Sequence, residues 1–237
     1  MRRARQRPVT NLPLSLFCLG LTLALYYLNK RLWRRFRKLP LMPLVFTPLL
    51  LVAVLVFGHI SYQNYIAQSH WLIWLLGPAT IAFAVPVYEN LALIRRHWMS
   101  LCAGTLTATV VAVTSSVWLA RWLMLSDEIQ RSLAVRSITT PFALAAAAPM
   151  GGQPDLVALF VVVTGVFGMA VGDVLFLRLA IREGVAKGAA LGAASHGAGT
   201  ARSCEMGPQE GMVASLVMML SGVIMVLAAP LVARLLF

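Results

Sequence analysis

The chain of 237 residues is 59% hydrophobic and only 12% charged, with a mean hydropathy of +0.81. A soluble domain is about 45–50% apolar and about 25% charged, so this composition excludes a soluble fold of this length and excludes disorder as well. The net charge of +12 would suggest nucleic acid in a soluble protein, but ten of the twenty basic residues fall within 2–38 and no acidic residue precedes Glu89, a pattern that orients membrane helices and meets anionic headgroups rather than nucleic acid.

In chain order, the first apolar segment is 12–28, between a basic start and a second basic block at 30–38. It has no small-residue cleavage site, so it reads as a retained membrane segment and not as a signal peptide. Segment 41–60 follows, then an uncharged polar break at 61–69. Segment 71–88 is interrupted by Gly77, Pro78 and Pro86. Arg95 and Arg96 precede 99–125, and a charged loop with Asp127, Glu128 and Arg131 comes after it. Segment 133–149 is broken by Pro141, 156–177 runs into the basic break of Arg178, Arg182 and Lys187, and 188–200 is rich in glycine. The long apolar 211–237 closes the series, which makes about 7–8 hydrophobic segments, three of them unfit to span as simple helices. Cys18, Cys102 and Cys204 match no metal spacing and read as small hydrophobes.

Placing 30–38, 95–96 and 178–187 on the cytoplasmic side follows the positive-inside rule. Segment 133–149 then cannot complete a crossing and must be re-entrant or a broken half-helix. An internal repeat is also visible. LGPAT at 76–80 resembles LGAAS at 191–195, Glu89 corresponds to Glu205, and LARWL at 119–123 corresponds to VARLL at 232–236. The expected architecture is therefore an all-α polytopic membrane protein: a basic N-terminal region with the first segment at 1–40, repeat one at 41–125 and repeat two at 126–237, the two repeats inverted and carrying broken helices.

Three stretches could carry chemistry. In 192–205 glycines interrupt a helix and free backbone N–H groups, while Ser195, His196, Thr200, Arg202 and Glu205 add hydroxyls, an imidazole, a cation and a carboxylate. Such a place suits an anion held at a helix N-terminus; the blander alternative is a tight helix crossing with Arg202 and Glu205 paired one turn apart. In SITTP at 137–141, Pro141 should break the helix at Thr140, opening Ser137, Thr139 and Thr140 beside Arg136. Around Gly77–Pro86, Thr80 lies in a second interruption, with Glu89 and Asn90 at its end; Glu89 reads equally as a solvated charge opposite Arg95 or Arg96. Asp173 should find a structural partner, with Arg178 the nearest candidate. No catalytic triad, zinc spacing or phosphate loop stands out, so no enzymatic role is expected.

These motifs resemble the LrgB/CidB family of bacterial membrane proteins. The stretches that carry the likeness are LGPATIAFAVPVYEN at 76–90, RSITTPFA at 136–143 and GAASHGAGTARSCEMGPQEG at 192–211. The family has Lys before its Ser-x-Thr-Thr-Pro element where this chain has Arg136, which keeps the charge and changes the donor geometry. The heavy basic N-terminus is a second departure. The resemblance implies either an antiholin-like role in murein hydrolase control and cell lysis, with a small LrgA/CidA-type membrane partner, or transport, since plastid glycolate/glycerate transporters are similar to the family.

Broken helices with an anion-ready cluster favour transport by alternating access. The expectation is a multi-pass protein of the bacterial inner membrane that carries small monocarboxylates of the glycolate, glycerate, lactate or pyruvate class. Its substrate-binding residues would be Thr80, Ser137, Thr139, Thr140, Ser195, His196, Gly197, Gly199, Thr200 and Arg202, with Arg136, Glu89 and Glu205 in pairing or coupling. No cofactor or metal is expected beyond a coupling H+ or Na+, and the partners would be the lipid bilayer, the carboxylate, an LrgA/CidA-type protein and further copies of the chain.

Overall fold

The computed structural model describes residues 11–36, 41–82, 84–89 and 91–237, and they are helical with no strand among them. Of the expectations above, those on the basic residues at 2–7, 37 and 38, on Asn90 and on the side chain of Thr80 lie outside the described residues. The chain forms two compact units, Met1–Pro78 and Ala79–Phe237.

In the first unit α1 (Leu12–Phe36) packs against α2 (Pro43–Phe57) and α3 (Tyr62–Trp74). The contacts include two polar links, Asn29 Nδ2 donating to Thr47 Oγ1 at 3.2 Å and the Thr22 and Tyr65 hydroxyls at 3.4 Å. Segment 41–60 yields only the 15 residues of α2, about 22 Å at 1.5 Å per residue and short of the ~30 Å apolar thickness of a bilayer. The polar break at 61–69 is instead the first half of α3: Ser61 caps it, accepting from Asn64 N, and 62–74 contains no Pro or Gly to stop it. α4 (Leu76–Ala82) then carries the chain into the second unit.

The second unit contains α5 (Ala84–Glu89), α6 (Leu91–Trp122), α7 (Asp127–Leu133), α8 (Thr140–Ala147), α9 (Pro154–Arg178), α10 (Gly184–Met206) and α11 (Pro208–Leu236). The charged loop at 127–131 is the helix α7, its two acids in the first turn and Arg131 in the last, where each complements the helix dipole. Four described helices are long and apolar enough to cross a membrane, namely Leu12–Phe36, Arg95–Trp122, Pro154–Arg178 and Pro208–Leu236.

α6 and α11 run side by side in the same direction. Leu101 packs with Met212 and Val213 near their starts, Val113 and Val117 with Met225 and Ala229 further along, and Arg121 donates to the Leu236 carbonyl at their ends. These are the helices that end the two expected repeats. An inverted pair would run antiparallel, so the inverted repeat is corrected at its best-matched elements. The short matches rest on Gly, Ala and Leu, which recur in any helix-packing surface.

α10 is the other departure from a plain crossing. A straight helix of its 23 residues would separate its ends by about 34 Å. Yet a Cβ on Gly184 would lie 2.9 Å from Glu210 Oε1, and one on Gly207 would run into the same carboxylate. Both ends therefore meet at the start of α11. The chain folds back at His196, whose φ of 38° and ψ of −118° leave the helical region. Non-glycine residues rarely adopt such a backbone, and it persists only where the surroundings hold it. The two arms pack closely enough that a Cβ on Gly199 would sit 2.7 Å from Ser195 Cβ.

Candidate functional site

A second re-entrant element faces this hairpin from the other end of the unit. Residues 134–139 turn inward without forming a helix, and α8 returns from Thr140. Proline in the first turn lacks only an N–H that would be unpaired there anyway, so Pro141 starts the return helix as expected. The return is pinned at its far end: Arg131 Nη1 donates to the Met150 carbonyl at 2.7 Å, and Gln153 N donates to Ser132 Oγ at 3.0 Å. Arg131 also stacks over the Phe237 ring at the end of α11. So 133–150 enters from the end where α6 and α11 finish, and α10 enters from the end where α11 begins.

The two tips meet. Thr139 Oγ1 lies 4.0 Å from the position of a Cβ on Gly197, the residue after the bend. In a membrane, irregular backbone at depth is tolerated where protein buries it or where it lines a cavity, and both conditions hold here. α9 forms the seat for the bend. A Cβ on Gly165 would lie 2.7 Å from the His196 ring, and one on Gly168 would strike Ser195 Oγ. Ser195 and His196 are buried, and Ser195 Oγ and His196 Nε2 have no hydrogen-bond partner among the described residues.

Beside the tips lies a cavity of about 660 Å³ between α6, residues 136–137, α9 and the first arm of α10. Arg136 stands in its wall. Its Nε donates to Ser116 Oγ at 2.7 Å and its Nη1 to Thr164 Oγ1 at 3.5 Å. No carboxylate among the described residues lies within 4 Å of it, because the ion pairs found there are those of Arg202. A guanidinium held by two hydroxyls and facing a cavity is a delocalised cation with no counter-ion among the described residues.

Arg202 differs. Its Nη2 meets Asp173 Oδ2 at 3.0 Å, its Nη1 meets Glu205 Oε2 at 3.0 Å, and its Nε donates to Asp173 Oδ2 at 3.1 Å. Asp173 thus pairs with Arg202 on the returning arm, not with Arg178. Glu205 takes part in the one-turn ion pair that was the blander reading of this stretch.

Among the expected site residues, Ser137 and Arg136 line the cavity, and Thr139, Thr140, His196 and Gly197 form the meeting tips. Ser195 is packed against α9 beside them. Gly199 closes the two arms, and buried Thr200 donates to Met218 Sδ at 3.6 Å, so both serve the packing of the hairpin. Glu89 is exposed at the end of α5. Ser116, Thr164, Gly165 and Gly168 were not singled out from the sequence. The glycines could have been: Gly165, Gly168 and Gly172 recur at three and four residues along one face of α9, the spacing that lets another backbone approach.

The comparisons with known proteins agree with the motifs. The model of the LrgB-like family matches residues 22–235. In Bacillus subtilis (strain 168), the uncharacterized protein YwbG is 31% identical over 92% of this chain and 96% of that protein. The antiholin-like protein LrgB of the same organism is 31% identical over 81% of this chain and 85% of its own length. The uncharacterized protein YxaC, also from that strain, is 33% identical over 92% of this chain and 95% of its length. No solved structure matches the chain.

Proposed function

This chain belongs to the LrgB-like family, and we propose that it carries small monocarboxylates across the bacterial inner membrane, with the cavity beside the two re-entrant tips as the binding site. The observation that supports this most is Arg136, a cation with hydroxyl partners and no carboxylate among the described residues, facing a cavity large enough for a small molecule. Arg136 attracts the carboxylate, and Ser137 and Thr164 offer hydroxyls beside it. Thr139 and Gly197, at the tips, form the thin barrier that opens first to one side and then to the other. His196 at the bend is the group that takes a coupling proton in this reading, with a coupling Na+ as the other choice. The basic residues Arg95, Arg96, Arg178, Arg182 and Lys187 belong to the cytoplasmic end. Homo-oligomers in the bilayer and no catalytic activity complete the proposal.

A second reading has its own support. One relative is named antiholin-like protein LrgB, and that name speaks for control of murein hydrolases and lysis, with an LrgA/CidA-type partner, more directly than any comparison speaks for transport of a particular acid. Counterflow in proteoliposomes separates the two. The transport reading expects labelled pyruvate or glycolate to accumulate above empty liposomes and Thr140→Ala or His196→Ala to reduce it. No flux above empty liposomes, with the same variants altering lysis alone, leaves the antiholin-like reading.

A further inference from the structure

Where α6 and α11 finish, a separate cavity of about 400 Å³ opens, away from the re-entrant tips. Its wall holds three guanidiniums, each from the last turn of a different helix: Arg121 of α6, Arg131 of α7 and Arg234 of α11. Gln130 adds an amide, and Asp127 is the acidic side chain in the lining; Glu128 and Asp155 do not belong to it. We infer that this cavity binds a phosphate group, carried by an anionic phospholipid or present as inorganic phosphate. The inference is independent of what the Arg136 cavity carries.

The fold leaves most of these donors unmatched. Arg121 donates to the Leu236 carbonyl, and Arg131 donates to the Met150 carbonyl and stacks on the Phe237 ring. Arg234 has no hydrogen bond or ion pair among the described residues. The ion pairs found among those residues are those of Arg202, so Asp127 stays more than 4 Å from all three guanidiniums. Three like charges around one cavity repel, and an anion between them relieves the repulsion. A phosphate directs its oxygens tetrahedrally, so donors from three helices can reach it together, and the arginine fork suits it. Depth argues for the same ligand. Trp118 and Trp122, in the last two turns of α6, are 70% and 69% exposed, and tryptophan at the end of a membrane helix marks the headgroup level. Orientation does not account for the arginines. Arg95 and Arg96, assigned to the cytoplasm, stand near the opposite end of α6, and the positive-inside rule disfavours basic residues at this end. A bound phosphate would tie the ends of α6, α7 and α11 together, beside the Arg131 contact that pins 133–150.

The test is thermal melting of the full chain in nanodiscs of phosphatidylcholine alone, with phosphatidylglycerol added, or with inorganic phosphate in the buffer at matched ionic strength. The choline cation opposes binding beside three guanidiniums, so phosphatidylcholine serves as the blank. Phosphatidylglycerol is expected to raise the melting temperature by about 5 °C or more, by mass action on the folded chain. Arg234→Gln removes no hydrogen bond of the fold, so its melt in the blank should match wild type while the gain falls to less than about half. Arg121→Gln combined with Arg234→Gln should abolish the gain. Arg178→Gln, at the opposite end of the unit, should keep it in full, which separates a site from general attraction to an anionic surface. A gain from inorganic phosphate that Arg234→Gln also lowers supports the inference with the free ion as the source. No gain from either probe, or a gain that Arg178→Gln lowers as much as Arg234→Gln does, overturns it.

Discussion

Arg136 and Arg202 sit in two regions of the same unit and carry the same charge, and the structure treats them in opposite ways. Around Arg202, at the end where α9 finishes, two carboxylates converge on one guanidinium within 3.0 Å. Around Arg136, between the re-entrant tips, two neutral hydroxyls hold the guanidinium and no carboxylate among the described residues reaches it. A charge with its counter-charge in the fold fastens one arm of α10 to α9. A charge without one, lining a cavity, is available to a ligand. Residue type does not separate these roles; what stands within 4 Å does.

The sharpest way to break the comparison is to exchange the fates of the two charges. Arg136→Gln keeps a hydrogen-bonding side chain and removes the charge. Counterflow is expected to fall about a hundredfold, since charge-assisted hydrogen bonds are worth roughly 1.5–3 kcal/mol and the bidentate kind more; a thermal melt in detergent should stay close to wild type. Arg136→Lys, the residue the family resemblance places there, is expected to retain flux at about a tenfold cost because an ammonium cannot span Ser116 and Thr164 as the fork does. Full activity of Arg136→Gln would mean the two arginines do not differ in kind.

The next largest effect concerns the seat of the bend. Gly168→Ala places a methyl against Ser195 Oγ, and overpacking of this sort costs about 1–3 kcal/mol. The melting temperature should drop, and Ser195→Gly in the same chain should restore part of it. Independent, additive losses would show that the tip does not rest on α9 as described. Smaller still is Arg202→Ala. Its pair is partly exposed, with 29% and 17% of the two side chains accessible, so its removal is expected to cost about 1 kcal/mol or less in stability. Flux should remain within about twofold of wild type if that cost is all that changes. The smallest is Thr200→Val, whose hydroxyl reaches only a thioether, a weak acceptor; stability and flux should be nearly unchanged.

Much of this was readable before the fold was known, and the limits have physical causes. Pro141 announced the start of α8, because proline is favoured in a helix's first turn, where its missing N–H leaves nothing unpaired. The glycine, serine and histidine run at 192–200 announced an interruption in α10. What the pattern could not distinguish was a kinked crossing from a hairpin, because both need the same small residues at the same spacing. The return is revealed by the break at His196 and by Glu210 lying against both ends of the element. The Arg202–Asp173 pair spans 29 positions in sequence, so the nearer Arg178 looked the better partner for Asp173. Ser61–Ser69 looked like a break because it is polar, although Ser61 is the cap that starts α3. The inverted repeat was not recovered for a different reason: LGPAT and LGAAS share leucine and small residues, which say nothing of the direction in which a helix runs.

The central claim is that an anion sits in the cavity at Arg136. The most direct measurement is protection from a thiol reagent. With Cys18, Cys102 and Cys204 replaced by alanine and Ala193→Cys placed in the cavity wall, pyruvate or glycolate should slow maleimide labelling in a saturable manner, and Arg136→Gln should abolish that protection. Labelling at the same rate with and without either acid, in a chain that retains flux, would contradict the account.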